Sequence, residues 1–322
     1  MESYVLPSRI SSSIVMVIGV CSHATVILLS AKRYSNENNS YVLFMRIFSS
    51  ASLLRLICGW MVISRTVVVL NAYFFISYGI ASNGGAPLCN KLDALCSHLV
   101  SYISILIPTG MLLRTLICFQ VRLRKNHVKV VSFIVWVFCL PLLVIPIRAY
   151  NEAFYFFEFL SREDQDQLVY HSAYALGRLE PWEAVVIDIF TNTAYFFMPL
   201  TLFFAVTTYI RMRKYQPHMS NHSARIHTSF IKLLSLEALS CFISFVMSIL
   251  RSLSEKEVAY HDLTLPLSFF SYPVMALIPT IHGCATLYFV PYFRDEVLYR
   301  LGIKKLNLDQ IPRFNGALVS VN

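Results

Sequence analysis

Seven stretches of this chain stay apolar for about twenty residues or more, long enough to cross the ~30 Å hydrocarbon core of a bilayer as helices. They fall at 12–31, 41–64, 93–120, 130–150, 183–210, 230–252 and 267–290. This feature restricts the fold more than any other. In lipid every backbone N–H and C=O must find its partner within the chain, which leaves helices or closed barrels, and runs of this length read as helices. Charge agrees: 14% of the 322 residues are charged, against about 25% in soluble domains. Aromatics at 14%, with 24 Phe and 18 Tyr, suit lipid-facing and interfacial positions. The expected fold is an all-α membrane protein, a seven-transmembrane helix bundle over 1–290 followed by a cytoplasmic tail over 291–322. No internal repeat and no Gly/Ser linker divides the chain.

Between the runs lie polar connectors, KRYSNENNS (32–40), VRLRKNH (121–127) and RMRKYQPHMSNHSARIH (211–227). The net charge of +9 would suggest nucleic acid in a soluble protein. Here the charges flank apolar runs, so they read as an orientation signal and no nucleic-acid partner is expected. With the N-terminus outside, the four inner segments hold two, four, five and five Lys or Arg, sixteen together. The outer segments hold six: Arg9, Arg65, Lys91, Arg162, Arg178 and Lys256. Lys and Arg concentrate on the cytoplasmic side, so the N-terminus is expected outside and the C-terminus inside. Two glycosylation sequons, Asn38-Asn39-Ser40 and Asn221-His222-Ser223, fall in inner loops and point the other way; the charge count outweighs so short a motif. Lys32 and Arg33 follow the first run rather than precede it, so that run reads as an uncleaved anchor.

An extra apolar run, TVVVLNAYFFISYGI (66–80), is too short for a second crossing. It reads as an extension of the second helix or an interfacial segment of the first outer loop. After the last span, Pro291 sits at a helix start, where its missing N–H costs nothing. Phe293, Val297 and Leu301 then recur at i, i+4, i+8, with Arg294, Asp295, Arg300 and Lys304 elsewhere on the wheel. That describes a short amphipathic helix over about 291–304, lying in the membrane interface.

Ionisable and polar residues within spans cost insertion energy and are candidates for function. Arg114 lies about six residues from the inner end of span three, and Glu237 about seven residues into span six from the same side. Both sit roughly 10 Å deep at 1.5 Å per residue, placed to pair as an activation switch. Snorkelling of Arg114 to inner phosphates is the competing reading. Arg55 lies too deep to snorkel and has no convincing partner, Asp188 being the one loosely placed candidate; Arg46 reads as snorkelling. Asp188 and Asn192 share a face of span five, with Tyr195 one turn on; His98 and Tyr102 share a face of span three; Tyr272 opens span seven. Together these residues could line an outer ligand pocket, with aromatic walls and a few polar anchors, although helix–helix hydrogen bonding explains any one of them as well. Prolines 108, 141, 146, 199, 273 and 279 free backbone carbonyls inside spans and permit kinks. The second outer loop, with Glu152, Glu158, Glu163, Asp164, Asp166 and Glu180 against Arg162 and Arg178, is acidic and suits a solvated outer face.

Eight cysteines occur without a CxxC pair, so neither a metal nor a cofactor is expected. HExxH, GxSxG and paired membrane aspartates are all absent, and no enzyme is expected. The order of several short elements resembles the nematode serpentine chemoreceptors of the Str superfamily, closest to the Srd family. They are Arg65, then ISYG (76–79), then Cys89; LLRTLICFQVRLRK (112–125) with Arg114 where that family places its Tyr-Arg; HTSFIKLLSLEALS (227–240); and ALIPTIHGCATLYFVPYFRD (276–295). Departures are clear. Asp-Arg-Tyr and Asn-Pro-x-x-Tyr are missing, Glu237 stands where the family tends to carry Gln, and Phe293 interrupts Pro-Tyr-Arg. The second outer loop (151–182) has no cysteine, so the usual bridge to span three cannot form.

The resemblance implies a G-protein-coupled chemosensory receptor for a small ligand such as an odorant or pheromone-like molecule. It implies a multi-pass protein of the plasma membrane in the cilium of a sensory neuron. Its partners would be the lipid bilayer and a heterotrimeric G protein, met by Arg122, Arg124, Arg211, Arg213 and Arg294. The competing class is a transporter or channel using Arg55 near the midplane. An odd span count without repeats argues against it.

Overall fold

The structure is a computed structural model that describes residues 2–33, 40–69, 72–118, 125–152, 172–176, 179–191, 193–215, 261–303 and eleven residues between 228 and 246. Helix α1 runs Glu2–Arg33, α2 Ser40–Val62 and α3 Ala86–Cys118. Then come α4 Lys125–Phe138 and α5 Pro141–Arg148, joined through Cys139 and Leu140. Helices α6 Pro181–Thr191 and α7 Thr193–Tyr215 follow. The described residues between Thr228 and Val246 are helical. Helix α8 runs His261–Phe289 and α9 Pro291–Arg300.

Among the described residues four helical stretches are long and apolar enough to cross a membrane: Tyr4–Ala31, Val42–Val62, Ala86–Leu113 and Lys125–Arg148. A fifth is reached if Pro273–Phe289 and Phe293–Arg300, bent by 81° to one another, count as one. Large apolar side chains point outward along α4 and α5, among them Phe133, Ile134, Phe138 and Val144. A contiguous face of this kind fits lipid and not water. The central core joins α2, α3, α4 and α6 through Met45, Phe48, Leu99, Ile103, Leu106 and Phe190.

The run at 66–80 does not lengthen α2. It forms strands β1 Ser64–Val69 and β2 Ala72–Ser77, paired antiparallel from Ser64 opposite Ser77 to Val69 opposite Ala72. Two residues separate the strands, the spacing of a tight hairpin. Strands β3 Tyr150–Glu152 and β4 Ser172–Leu176 complete a four-stranded sheet in the order β1-β2-β4-β3. Its core partners are Val62, Ala81 and Cys89, with Tyr174 stacked on Phe75 at 5.1 Å. The sheet therefore covers the end of the bundle where α1 begins and α2 ends.

At the opposite end, Val26, Leu29, Val42, Leu233, Val290 and Phe293 form one apolar cluster that joins spans one, two, six and seven to α9. Phe293 is buried and Val297 packs against the cluster, while Leu301, just beyond the helix, is 65% exposed. The expected stripe is thus met at two positions against the bundle, and the third faces outward.

Candidate functional site

The sheet end is fixed by directed bonds to three spans. Helix α2 ends at Val62, and Ile63 takes φ 40°, a left-handed conformation that costs about 1–2 kcal/mol outside glycine. The chain meets that strain with partners for the helix's last carbonyls. Val62 O accepts Ser77 Oγ–H at 2.7 Å and Gly79 N–H at 2.8 Å, and Ile63 O accepts Tyr78 N–H at 3.1 Å. Gly79 is required by proximity: a Cβ there would lie 2.0 Å from Met61 O. From α1, Arg9 donates to Tyr78 O. From α3, Asp93 accepts the Tyr174 hydroxyl at 2.6 Å and the Ser64 hydroxyl at 3.3 Å. Burial first, then the Asp93 carboxylate beside it, pushes the Tyr174 hydroxyl well above its usual range. It stays a donor at neutral pH. Tyr174 thus ties β4 to α3, in the same cluster as Cys89.

On the neighbouring edge, Glu183 is fully buried and pairs with Arg148, linking the end of α5 to the start of α6. It also accepts the Glu180 N–H at 2.9 Å, which completes one half of a capping box with Pro181 at the first helical position. The sequence reading grouped Glu180 with an acidic loop and missed Glu183. The signal was present: an acid three residues after a helix start.

Of the residues expected to line a ligand pocket, His98 and Tyr102 are placed together on α3, facing α4. His98 is fully buried, its Nδ1–H donates to Cys139 O at 2.9 Å, and its ring meets Trp136 edge-on at 4.3 Å. Tyr102 is buried and meets the same indole at 5.1 Å. Their described contacts are therefore helix packing. The side chains of Asp188, Tyr195 and Tyr272, and all of Asn192, lie outside the described residues. So do the Arg114 side chain and Glu237, the two halves of the expected switch.

Of the expected cytoplasmic contacts, Arg213 is exposed on α7 and donates to the Tyr209 hydroxyl at 3.2 Å. Arg294 lies on α9 beside Asp295 at 3.3 Å. Arg122, Arg124 and the Arg211 side chain are outside the described residues. Arg46 donates to Ser30 on α1, a helix–helix tie where snorkelling was expected.

Span seven packs on α1 and α2 through polar groups, among them the packing histidines His23 and His282. Arg55 Nη2 donates to Met275 O at 2.9 Å, and His23 Nε2–H donates to Pro279 O at 2.8 Å. His23, His282 and Phe48 form a buried aromatic group, with the Phe48 and His282 centroids 4.1 Å apart. A narrow, almost wholly apolar cleft runs beside it, lined by Phe48, Ile103, Leu236, Pro279 and Ala285. Among the described residues no group of three His, Cys, Asp or Glu could hold a metal.

No curated protein matches this chain. A family model described as serpentine type 7TM GPCR chemoreceptor Srd matches residues 8–299, from the first turns of α1 almost to the end of α9. A membrane helix bundle closed at one end by a sheet and ending in a helix turned across its last span is thus matched along nearly its whole length, and the chain belongs to the Srd family of seven-transmembrane chemoreceptors.

Proposed function

We propose that this receptor binds a small odorant or pheromone-like molecule within the half of the bundle nearest the sheet, and signals to a heterotrimeric G protein at the opposite end. The observation that carries the reading is the family match over 8–299, which spans the bundle and nearly all of α9. The charge asymmetry supports an outside N-terminus and a cytoplasmic tail, and a sensory-neuron cilium is the compartment such a receptor would serve. Arg213 and Arg294, both at the tail end, supply positive charge on that face.

The pocket is proposed to draw on Asp188, Asn192, Tyr195 and Tyr272 across from α3, with His98 and Tyr102 shaping its wall from behind through Trp136. Arg114 and Glu237 are proposed to pair between spans three and six in the resting state. Breaking that pair frees span six, since a lone charge at that depth is strongly destabilising. Glu237→Gln is expected to raise basal signalling at equal surface abundance; an unchanged basal level would remove the pair from the mechanism. Arg55, the residue that suggested a transport path, is engaged across helices with Met275, so the receptor reading stands ahead of transport. The deciding experiment is a ligand screen on cells expressing the chain with a panel of G proteins. Ligand-evoked second-messenger change supports the proposal. Ligand-evoked current or uptake without it would replace the proposal with a channel or carrier.

A further inference from the structure

Helix α8 carries a proline at a position where a helix needs a donor. The carbonyl of Met275 would accept the N–H of residue 279 in an unbroken helix, and Pro279 has none. An N–H from another span reaches that carbonyl: Arg55 Nη2 on α2, at 2.9 Å. One turn further, the carbonyl of Pro279 accepts the ring N–H of His23 on α1 at 2.8 Å. Between them, the Thr280 hydroxyl bonds Ala276 O at 2.9 Å and lies 3.3 Å from Val15 O on α1. The backbone on both sides of the proline is therefore gripped from two neighbouring spans. Close approach makes this possible: a Cβ on Gly283 would lie 2.4 Å from Ser22 Oγ and 3.2 Å from the His23 ring. Arg55 itself is 7% exposed.

We infer that Arg55 is a positioning residue for span seven, its guanidinium supplying the N–H that Pro279 lacks, so that α2 holds the backbone of α8 in place at the turn that Pro279 leaves without its own hydrogen bond. A guanidinium suits the task. It stays protonated at every physiological pH and presents its N–H groups in a rigid fork, so the bond does not titrate. The backbone of span seven around Pro279 is thereby fastened to spans one and two. The inference goes beyond the proposed signalling and needs neither ligand nor G protein for its test.

The experiment is a double-mutant cycle on the full chain, reading thermal unfolding of the purified protein and its delivery to the cell surface. Arg55→Met removes the donor and is expected to lower the melting temperature by roughly 5 °C. Pro279→Ala restores an N–H within α8 for the Met275 carbonyl. In that background Arg55→Met is expected to cost less than half as much, and Arg55→Lys, which keeps a donor, should fall between wild type and Arg55→Met. Equal losses in both backgrounds would overturn the inference, because a residue needed only for packing or charge is not rescued by a backbone N–H on another helix. If Arg55→Met alone fails to reach the surface, delivery of the double variant supports the inference and its retention overturns it.

Discussion

At the sheet end, α2 stops against donors in fixed register, Ser77 and Gly79 on Val62 O and Tyr78 on Ile63 O, while Arg9 and Tyr174 tie the same sheet to α1 and α3. At the tail end, Val26, Leu29, Val42, Leu233 and Phe293 meet through apolar surface, with Arg46 to Ser30 as a polar tie. The contrast matters because hydrogen bonds are directional, and a small shift breaks them. Apolar contact has no such direction and tolerates repacking of similar volume. The proposed function, with a ligand at the sheet end and a partner at the tail end, would use this division, since directed bonds hold the first and apolar contact the second.

Four measurements test that division, from the largest expected effect to the smallest. Gly79→Val puts side-chain carbon against the Met61 carbonyl, and overpacking against backbone is expected to cost about 3 kcal/mol or more. Loss of folded protein at the cell surface would show it, while normal yield would mean that the sheet end yields too. Phe293→Ala empties part of the tail cluster and is expected to cost about 3 kcal/mol. Hydrogen exchange should rise in α9 and at Leu233 and leave β2 and β4 protected; loosening of the sheet as well would erase the contrast between the ends. Tyr174→Phe removes the 2.6 Å hydrogen bond to Asp93 and is expected to cost about 2 kcal/mol, the range for a bond to a charged group, read as faster exchange or proteolysis in β4 with α9 unchanged. The folded hydroxyl ionises well above its usual range, so its contribution is fully present below the unfolded value near 10 and fades as pH rises through the folded value. Protection of β4 should accordingly be flat between pH 7 and 9. Arg300→Gln breaks an i, i+4 pair with Glu296 at 3.0 Å, and about 0.3–0.5 kcal/mol is expected; a larger loss in melting temperature would make the tail end more polar in its fastening than its cluster implies.

The helical membrane bundle and the turned final helix were legible in the sequence because lipid leaves few solutions and apolar length is visible residue by residue. Of the two readings of the run at 66–80, an extension of α2 is excluded by the hairpin and an outer-loop segment is not, and the strands themselves went unseen for a physical reason. An apolar run of this length has no period that separates helix from strand. Its content did lean toward strand: Thr66 to Val69 is β-branched throughout, and Tyr73 to Ile76 is aromatic and β-branched. The partner of Arg55 was illegible because it is a backbone carbonyl, which carries no mark in the sequence. The trace it left is indirect, a proline four residues beyond the acceptor on a different span. His98 and Tyr102 show the opposite limit. Their shared helical face was correct, but spacing along α3 does not say which neighbour that face meets, and the structure turns it toward Trp136.

Tyr174 and Asp93 close the loop over α3 without a covalent bridge, and Cys89 beside them keeps a free thiol. Closure of that loop therefore involves no oxidation step. A thiol reductant added to the bath should leave the Tyr174–Asp93 tie in place.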